Sequence, residues 1–197
     1  MTEQNTYHHG DLRRALLEEA GRILEAEGAA SISLRRLARS LGVSHAAPGH
    51  HFSDRAELLS ELAADGYAGL ADALGEAMES TRPEDWLGAT GKAYIRFGMA
   101  NPERYRMMFG SQLMGEDCPE RLRAESSRAY MMLLRASYRG PPDVDPADYH
   151  VDIIELFAWS LVHGAVMLWL DGQLGPGVDR ETFLALTDRI LDEKVGR

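Results

Sequence analysis

The sequence predicts an all-α fold of about nine helices, in which a three-helix head with a helix-turn-helix precedes a C-terminal helical bundle. Two observations carry this prediction. Apolar residues recur at steps of three and four along almost the whole chain, which is the spacing of one face of a helix. No segment alternates convincingly between apolar and polar residues, and no repeat with a period of about 20–50 residues is present, so strands and solenoid repeats are both disfavoured.

The first predicted helix covers about residues 11–27, and Gly28 ends it. A second, shorter helix begins after Ser33, a residue type that caps helix N-termini well. Gly42 ends that helix, because glycine readily takes the left-handed conformation after a helix C-terminus. The apolar positions lie on one face in each helix, and they are Leu12, Leu16, Ala20, Ile23 and Leu24 in the first and Leu34, Leu37, Ala38 and Leu41 in the second.

A third helix is expected to begin at Ser44, only a few residues after the second one ends. Two short helices joined at that spacing make a helix-turn-helix. Pro48 and Gly49 interrupt the third helix, because a proline at this depth removes the hydrogen bond to the Ser44 carbonyl. We therefore expect the third helix to be short or distorted.

The later helices are placed by capping residues and prolines. Ser53 is expected to cap a long fourth helix, and a loop rich in proline over residues 140–146 precedes the eighth. The eighth helix is apolar nearly all round and must be covered on every side, so we expect a homodimer to cover it together with the ninth. The predicted fourth to ninth helices cover about residues 53–79, 83–100, 102 onward, 119–138, 147–172 and 179 onward.

The overall net charge of −10 speaks against a nucleic-acid binder until it is divided along the chain. Residues 1–60 hold seven arginines, eight acidic residues and five of the seven histidines, whereas residues 61–197 hold 14 basic and 23 acidic residues. The acidity therefore belongs to the body. A near-neutral head with clustered arginines is consistent with a small contact surface for DNA.

The polar start of the chain has no apolar segment behind basic residues, so we expect no secretory signal and a cytoplasmic protein. The lone Cys118 excludes an internal disulfide and a thiolate-rich zinc site, and its acidic neighbours predict an unreactive thiol. The most apolar stretch, Leu156–Leu170, is shorter than the roughly twenty residues of a membrane span. We expect it to be a buried helix and expect no membrane partner.

Four short runs of the head together resemble the TetR/AcrR family of bacterial regulators. The runs are Tyr7–Arg13, Ser33–Ala38, Gly42–Pro48 and His51–Phe52. The resemblance covers about residues 7–70 and implies a homodimer whose helix-turn-helix docks on operator DNA. Residues 101–110 and 159–164 of the body resemble a C-terminal domain of some members, the WHG type, which is named for its Trp, His and Gly.

A helix that enters the major groove needs a polar N-terminal turn, small residues for close approach and flanking donors for phosphates. His45 can donate to a base edge, and the methyl groups of Ala46 and Ala47 can contact thymine. The family usually has a phosphate-gripping tyrosine where this chain has Gly49, so we expect weaker DNA binding, with His50 taking part of that contact. The candidate DNA contacts are Tyr7, His9, Ser33, Arg35, Arg36, Ser44, His45, Ala46, Ala47, His50 and His51.

Flexible methionines and flat aromatic rings in the body suggest an adaptable apolar cavity for a small-molecule effector, although the same residues would also fill an ordinary helical core. The candidate pocket residues are Tyr94, Phe97, Met108, Phe109, Met131, Met132, Trp159 and His163. The resemblance implies that the last two helices form a four-helix bundle with those of a second copy. The candidate interface residues are Gly164, Met167, Phe183, Leu186 and Ile190.

No nucleophile, paired carboxylates or phosphate-binding loop points to an enzyme, and we expect no cofactor. The pairs His8-His9 and His50-His51 are not expected to bind metal, because adjacent residues on a helix point about 100° apart. We expect a DNA-binding domain over residues 1–54, a connecting helix over 55–80 and an effector and dimerisation domain over 81–197.

The preferred interpretation is a repressor that an apolar effector releases from a palindromic operator. Its partners would be double-stranded operator DNA, a second copy of itself and the effector. The alternative is an all-helical small-molecule-binding protein or enzyme whose head has lost its affinity for DNA. DNA binding that weakens steeply with salt fits only the first of these.

Overall fold

A computed structural model of the chain describes residues 9–110, 113, 118–138 and 153–194. Within these ranges there are eight α-helices and three short 3₁₀ helices, and no strand. The 3₁₀ helices are Ala29–Ser31, Ala47–His50 and Pro83–Asp85. The α-helices are α1 (His9–Glu27), α2 (Leu34–Ser40), α3 (Arg55–Glu79), α4 (Trp86–Ala100), α5 (Pro102–Met108), α6 (Glu120–Tyr138), α7 (Ile153–Leu170) and α8 (Arg180–Lys194).

The all-α fold is confirmed, and the number of helices is one lower than predicted because the third is a 3₁₀ turn. The long fourth predicted helix, α3, begins at Arg55. Its N-terminal cap is Asp54, whose Oδ1 accepts a hydrogen bond from the Glu57 N–H at 2.9 Å. The expected cap, Ser53, instead donates its own backbone N–H to the Glu57 carboxylate at 2.6 Å. The sequence offered two good caps in a row, and the second one is used.

Helix α7 departs from its prediction as a buried helix. It is 18 residues long, and only 17% of it is buried. By length and composition it is the one helix in the described ranges that is apolar enough to cross a membrane, and a single helix of this kind is weak evidence of a membrane span. Residues 147–152, which the prediction also included, lie outside the described residues.

The chain divides into two compact units. The first comprises Met1–Gly66 and Glu103–Arg123, and the second comprises Tyr67–Pro102 and Ala124–Arg197. Helices α3 and α6 therefore contribute residues to both units. The predicted division into three functional segments at residues 54 and 80 stays a prediction.

The core of the first unit is built from the apolar face of α1. Its predicted positions from Leu12 to Leu24 are all buried, together with Leu37 of α2 and Phe52. Burying a side chain of this size stabilises a fold by about 1.5–3 kcal/mol. Gly66 permits a close approach of α5 to α3, because a Cβ at this position would lie 2.5 Å from the Met108 Sδ.

In the second unit α4 packs against α7 and α8. The missing side chain of Gly91 permits this packing, since a Cβ there would lie 2.8 Å from the Leu191 Cδ2 and 3.4 Å from the Val162 Cγ1. Ion pairs then join α4 to α8 along the edge of the contact. They are Lys92–Asp192 at 2.5 Å and Arg96–Asp188 at 2.6 Å.

Candidate nucleic-acid interface and ligand cavity

Helix α2 is fixed at both ends by hydrogen bonds that the local sequence provides. The Ser33 Oγ accepts a hydrogen bond at 3.2 Å from the backbone N–H of the helix's third residue. Gly42 has a φ of 67°, and its N–H donates to the Arg39 carbonyl at 3.2 Å. The Val43 N–H donates to the Ala38 carbonyl at 3.0 Å, so two carbonyls that a helix end leaves open are satisfied. Both predicted caps are confirmed.

Residues 44–51, which we call the reading element, form a compact turn in place of a helix. The Ala47 N–H donates to the Ser44 carbonyl at 3.1 Å, and the following bonds repeat this three-residue step, which is the 3₁₀ pattern. Pro48 has no N–H to donate to Ser44, so an α-helical ladder cannot pass through it. The expected distortion is therefore confirmed, and it shortens the element to a single turn.

The reading element presents small and polar side chains to solvent. Ser44, His45, Ala46 and His50 are exposed, whereas Ala47 and His51 are half-buried. Pro48 is buried and anchors the turn on the head. Tyr7 and the side chain of His9 lie outside the described residues. The described candidates on the open surface belong to this element, to α2 and to its N-cap Ser33.

The neighbouring arginines of α2 have different surroundings. The Arg36 guanidinium donates to the Glu27 carboxylate at 2.5 and 2.8 Å and to the Ser31 carbonyl at 3.2 Å. The hydrogen bond from Arg36 lowers the pKa of Glu27, and the pair ties α2 to the end of α1. Arg35 is exposed. Of these two candidate DNA contacts, Arg36 is therefore bound to the end of α1, and Arg35 is the one whose side chain is open to solvent.

A second ionic cluster holds the other end of α2. The Arg22 guanidinium donates to the Glu19 carboxylate at 2.6 Å, and the Ser40 hydroxyl donates to the same carboxylate. Hydrogen bonds from Arg22 and then Ser40 lower the pKa of Glu19 to about 2. Because Glu19 belongs to α1 and Ser40 to α2, the two helices of the head are joined at both ends of α2.

The second unit encloses a cavity walled by α4, α6, α7 and α8. It measures about 440 Å³, counted with the part that is open to solvent, and its enclosed part is narrow, with room for little more than a water-sized molecule. An apolar wall with a few polar groups is typical of small-molecule sites. The lining residues are Leu87, Thr90, Gly91, Tyr130, Leu133, Ser137, Glu155, Ala158, Trp159, Leu161, Val162 and Leu191.

Among the predicted pocket residues only Trp159 lines this cavity. Met108 and Phe109 belong to the first unit, where Met108 is fully buried and the Phe109 ring packs on the Tyr105 ring with centroids 4.7 Å apart. On α6, Met131 is 44% exposed. The structure does not bring the predicted set together. Helical spacing shows which residues share an apolar face, but it does not show which neighbouring helix that face contacts. The remaining members, none of which lines the cavity, are Tyr94, Phe97, Met132 and His163.

Tyr94 and His163 form a polar contact inside the second unit. The Tyr94 Oη lies 3.2 Å from the His163 Nδ1, and the edge of the Trp159 ring faces the imidazole at a centroid distance of 6.3 Å. Burial lowers the pKa of His163, which favours the neutral imidazole. The geometry is that of a hydrogen-bonded histidine in a core.

Sequence reasoning missed Glu155. It lines the cavity, it is only 2% exposed, and it is the one acidic residue in the otherwise apolar helix α7. An acid inside such a run was the signal that could have revealed it, because charged side chains are seldom fully buried. Thr90 is the other buried polar side chain of the wall, and its hydroxyl donates to the Trp86 carbonyl at 2.8 Å.

Helices α7 and α8 leave large apolar side chains in solvent. Apolar side chains of this size that are left in solvent can mark an interaction surface when they lie together. A Cβ built on Gly164 would meet nothing within 4 Å, so the described chain leaves that point of α7 open. The exposed residues are Ile153, Ile154, Leu156, Phe157, Leu168, Leu186 and Ile190.

The predicted interface residues divide into two groups. Gly164, Leu186 and Ile190 lie at open or exposed positions, as an interface requires, and Met167 is half-buried. Phe183 is only 4% exposed, and its ring stacks on the Trp169 ring at 5.1 Å. Phe183 therefore packs inside its own chain, and its place in an interface stays a prediction.

Two families of known proteins match this chain. Residues 16–62 match the family described as bacterial regulatory proteins, tetR family. Residues 87–193, more than half of the chain, match the family described as tetracyclin repressor-like, C-terminal domain. The chain belongs to the TetR family. The C-terminal match is to the tetracyclin repressor-like domain, so the expected WHG type is not confirmed.

Several known proteins are similar to this TetR-family chain. The HTH-type transcriptional regulator Rv1816 of Mycobacterium tuberculosis H37Rv is 35% identical over 107 residues, which cover 53% of this chain and 46% of that protein. The chain thus matches about half the length of its curated relatives. A protein of unknown function from Rhodococcus sp. RHA1 is 31% identical with a TM-score of 0.75, covering 96% and 98% of the two chains. The TetR family regulator PfmR of Thermus thermophilus is 26% identical with a TM-score of 0.62, covering 90% and 97%.

Helix α6 of this TetR-family chain carries both cavity residues and ion pairs to α3. Three residues of its second half line the cavity. Near its start, the Arg121 guanidinium donates to Glu61 at 2.8 Å and to Asp65 at 2.5 Å, both on α3. Arg13 of α1 binds the same Glu61 carboxylate at 3.0 Å. Helix α3, in contrast, contributes nothing to the cavity wall.

Proposed function

We propose that this protein is a transcriptional repressor that binds a palindromic operator as a homodimer and leaves it when a small apolar molecule binds the body. The observation that carries the proposal is the open surface of α2 and the reading element, where Arg35, Ser44, His45 and His50 are exposed. This surface lies on a scaffold held by caps and ion pairs. Exposed donors on a rigid support are what base and phosphate contacts need.

The exposed apolar side chains of α7 and α8 support the homodimer. A second copy that packs its own α7 and α8 against them would cover the patch and bring two heads together. A two-fold symmetric dimer then matches an operator with two inverted half-sites.

The cavity supports the effector. A ligand shifts the balance between two states only by its different affinity for each of them. We infer that a bound effector moves α6, because α6 lines the cavity and its Arg121 holds the carboxylate that also binds Arg13 of α1. The transmitting movement is thus a movement of α6.

Fluorescence anisotropy tests the proposal with labelled DNA from upstream of the protein's own gene, over a range of salt. We expect binding at low salt whose logarithmic affinity falls linearly with the logarithm of the salt concentration. Arg35→Ala should weaken binding and lower the salt slope by about two for the dimer, one for each head. The matched control is Arg82→Ala in the second unit, which removes an exposed arginine paired with Glu84 and Asp85. This variant should change neither the DNA affinity nor the salt slope.

The alternative, a small-molecule-binding protein or enzyme with a degenerate head, is favoured by one observation, the glycine in the reading element. It predicts effector binding without salt-dependent DNA association. Regulators of this family are generally not enzymes, and no group of three or more His, Cys, Asp or Glu in the described part of the chain is placed to hold a metal ion.

Sedimentation tests the dimer. Leu186→Glu places a charge in the exposed apolar patch and should convert a dimer into a monomer, since an unpaired charge in an apolar interface is strongly unfavourable. Ala100→Glu, at the exposed end of α4, should leave the dimer intact. A wild-type protein that sediments as a monomer would refute the dimer. A Leu186→Glu variant that dimerises with unchanged affinity would show that the interface lies elsewhere.

A further inference from the structure

The surface formed by α2 and the reading element is built from a stretch of sequence without acids. From Ser33 to Ser53 the chain holds three arginines, three histidines and no aspartate or glutamate, although acidic residues outnumber basic ones in the whole chain. The nearest acids along the sequence are Glu27 before this stretch and Asp54 after it. The charge of the surface therefore depends on arginines, which are always charged, and on histidines, which are not.

Two of the three histidines are open to solvent in the reading element. His45 lies near the start of the element and His50 at the end of its 3₁₀ turn, and both are exposed, whereas His51 is half-buried. Histidine is the side chain that ordinarily gains a positive charge as the pH falls from 8 to 5. Phosphate oxygens that lie close to an imidazole favour its charged form, because opposite charges attract. An exposed histidine can thus bind a phosphate once it has taken up a proton.

The charged groups around the reading element are basic, or are acids that already have partners. Helix α2 packs against the element and contributes Arg35 and Arg39, which are exposed, and Arg36, which is bound to Glu27. Charged residues of α1 and of the start of α3 are engaged with other groups. Their contacts are Glu19 with Arg22 and Ser40, Arg13 with Glu61 and over the Phe52 ring, Asp54 with the Glu57 N–H, Glu57 with the Ser53 N–H, and Arg55 with the Ala29 and Ile32 carbonyls. A DNA phosphate is therefore the anion that remains for a protonated histidine of this surface.

We propose that the protein takes up protons when it binds DNA, because His45 and His50 contact phosphates as imidazolium cations. The inference rests on the proposed function in taking α2 and the reading element as the DNA-binding surface. It adds a response to pH, since acid tightens the binding to DNA and alkali loosens it. A dimer has four such histidines. A change in affinity of about a factor of two for each contact gives more than about tenfold for the four together.

Fluorescence anisotropy with labelled duplex DNA, at pH 6 and at pH 8 and over a range of salt, tests the proposal on the full-length protein. At any one salt concentration we expect wild type to bind at least about tenfold more tightly at pH 6 than at pH 8. Its salt slope should be steeper at pH 6 by about three, because each of the four added phosphate contacts contributes a little less than one. The double variant His45→Gln, His50→Gln carries amides that do not titrate and should bind equally at both pH values. His45→Arg combined with His50→Arg should bind at pH 8 about as tightly as wild type at pH 6, because arginine keeps its charge.

The matched control is Arg35→Ala, which removes a charge that does not change between these pH values. It should weaken DNA binding by the same factor at pH 6 and at pH 8 and so keep the wild-type ratio of the two affinities. A pH effect on folding or on the dimer would persist in the double glutamine variant. The proposal is overturned if the two wild-type affinities differ by less than about twofold, or if the double glutamine variant keeps the wild-type ratio.

Two duplexes separate this proposal from the proposed repressor. One is DNA from upstream of the protein's own gene, and the other is a random-sequence duplex of the same length, which offers the same phosphates. Equal binding to both duplexes with the expected pH ratio would refute an operator in the upstream DNA and support the proton uptake. A preference for the upstream DNA without a pH ratio would do the reverse. Binding to neither duplex at low salt would overturn both.

Discussion

Replacing Gly49 with tyrosine tests how the reading element grips DNA. Gly49 is exposed, and a Cβ built on it meets no atom within 4 Å. A β-carbon therefore fits at this exposed position without any shift in the head. The resemblance to the TetR family implies a tyrosine here against the phosphate backbone, so we expect Gly49→Tyr to bind the operator more tightly than wild type.

The expected increase in affinity for the operator can be worked out from one added hydrogen bond in each head. A net hydrogen bond contributes about 1 kcal/mol, so two heads contribute about 2 kcal/mol, which corresponds to roughly a thirtyfold lower Kd. The tyrosine hydroxyl is neutral, so the salt dependence should keep the slope of wild type. A larger slope would indicate a change in the arginine contacts.

Fluorescence anisotropy at fixed salt measures the change. Gly49→Phe is the matched control, because it adds the ring and the backbone restriction of tyrosine without the hydroxyl. We expect its affinity for the operator to rise much less than that of Gly49→Tyr. Equal or weaker binding by the tyrosine variant would refute the reasoning, and an equal gain by phenylalanine would refute the hydrogen bond.

Two predictions concern stability. Gly66→Val should lower the free energy of unfolding by about 2 kcal/mol in urea, because its Cβ would press on the buried Met108, while Gly75→Val, with open space around it, should change it by less than about 0.5 kcal/mol. Equal changes in the free energy of unfolding for the two variants would contradict the close packing of Gly66 against Met108. Glu19, whose pKa Arg22 holds at about 2, adds stability that is present above its unfolded pKa of about 4.5 and is lost as the pH falls through 2. After allowance for solvent screening, we expect the free energy of unfolding in urea to be about 1 kcal/mol higher for wild type than for Glu19→Gln at pH 6. Near pH 2 the two free energies should be about equal. A difference that does not change with pH would contradict this prediction.

The helix-turn-helix could be predicted because its signals are local. A cap such as Ser33 bonds to a backbone N–H three residues away, and Gly42 closes α2 within two residues of its end. The effect of Pro48 is local too, because its missing N–H concerns one hydrogen bond to Ser44. Each of these features was found where the sequence placed it.

The cavity and the ion pairs could not be predicted, because they depend on which faces of distant helices meet. Met108 and Phe183 are apolar residues on helical faces, and nothing in their spacing shows that they pack within their own unit. The pairing of Arg36 with Glu27 needs the angle between α1 and α2. Glu155 is different in kind, because its position in an apolar run was visible in the sequence but was not used.

A reading element of one turn makes the proposed dimer more important to the proposed function than the head alone suggests. One turn offers few base contacts, so a single head would bind weakly and with little discrimination. When two heads are joined, the second binds at a high effective concentration, and each 1.4 kcal/mol per head becomes about a hundredfold for the pair. The same linkage makes the affinity sensitive to any change in the separation of the heads. A small effector could therefore release the operator by moving the heads out of register, without altering a single contact between a head and DNA.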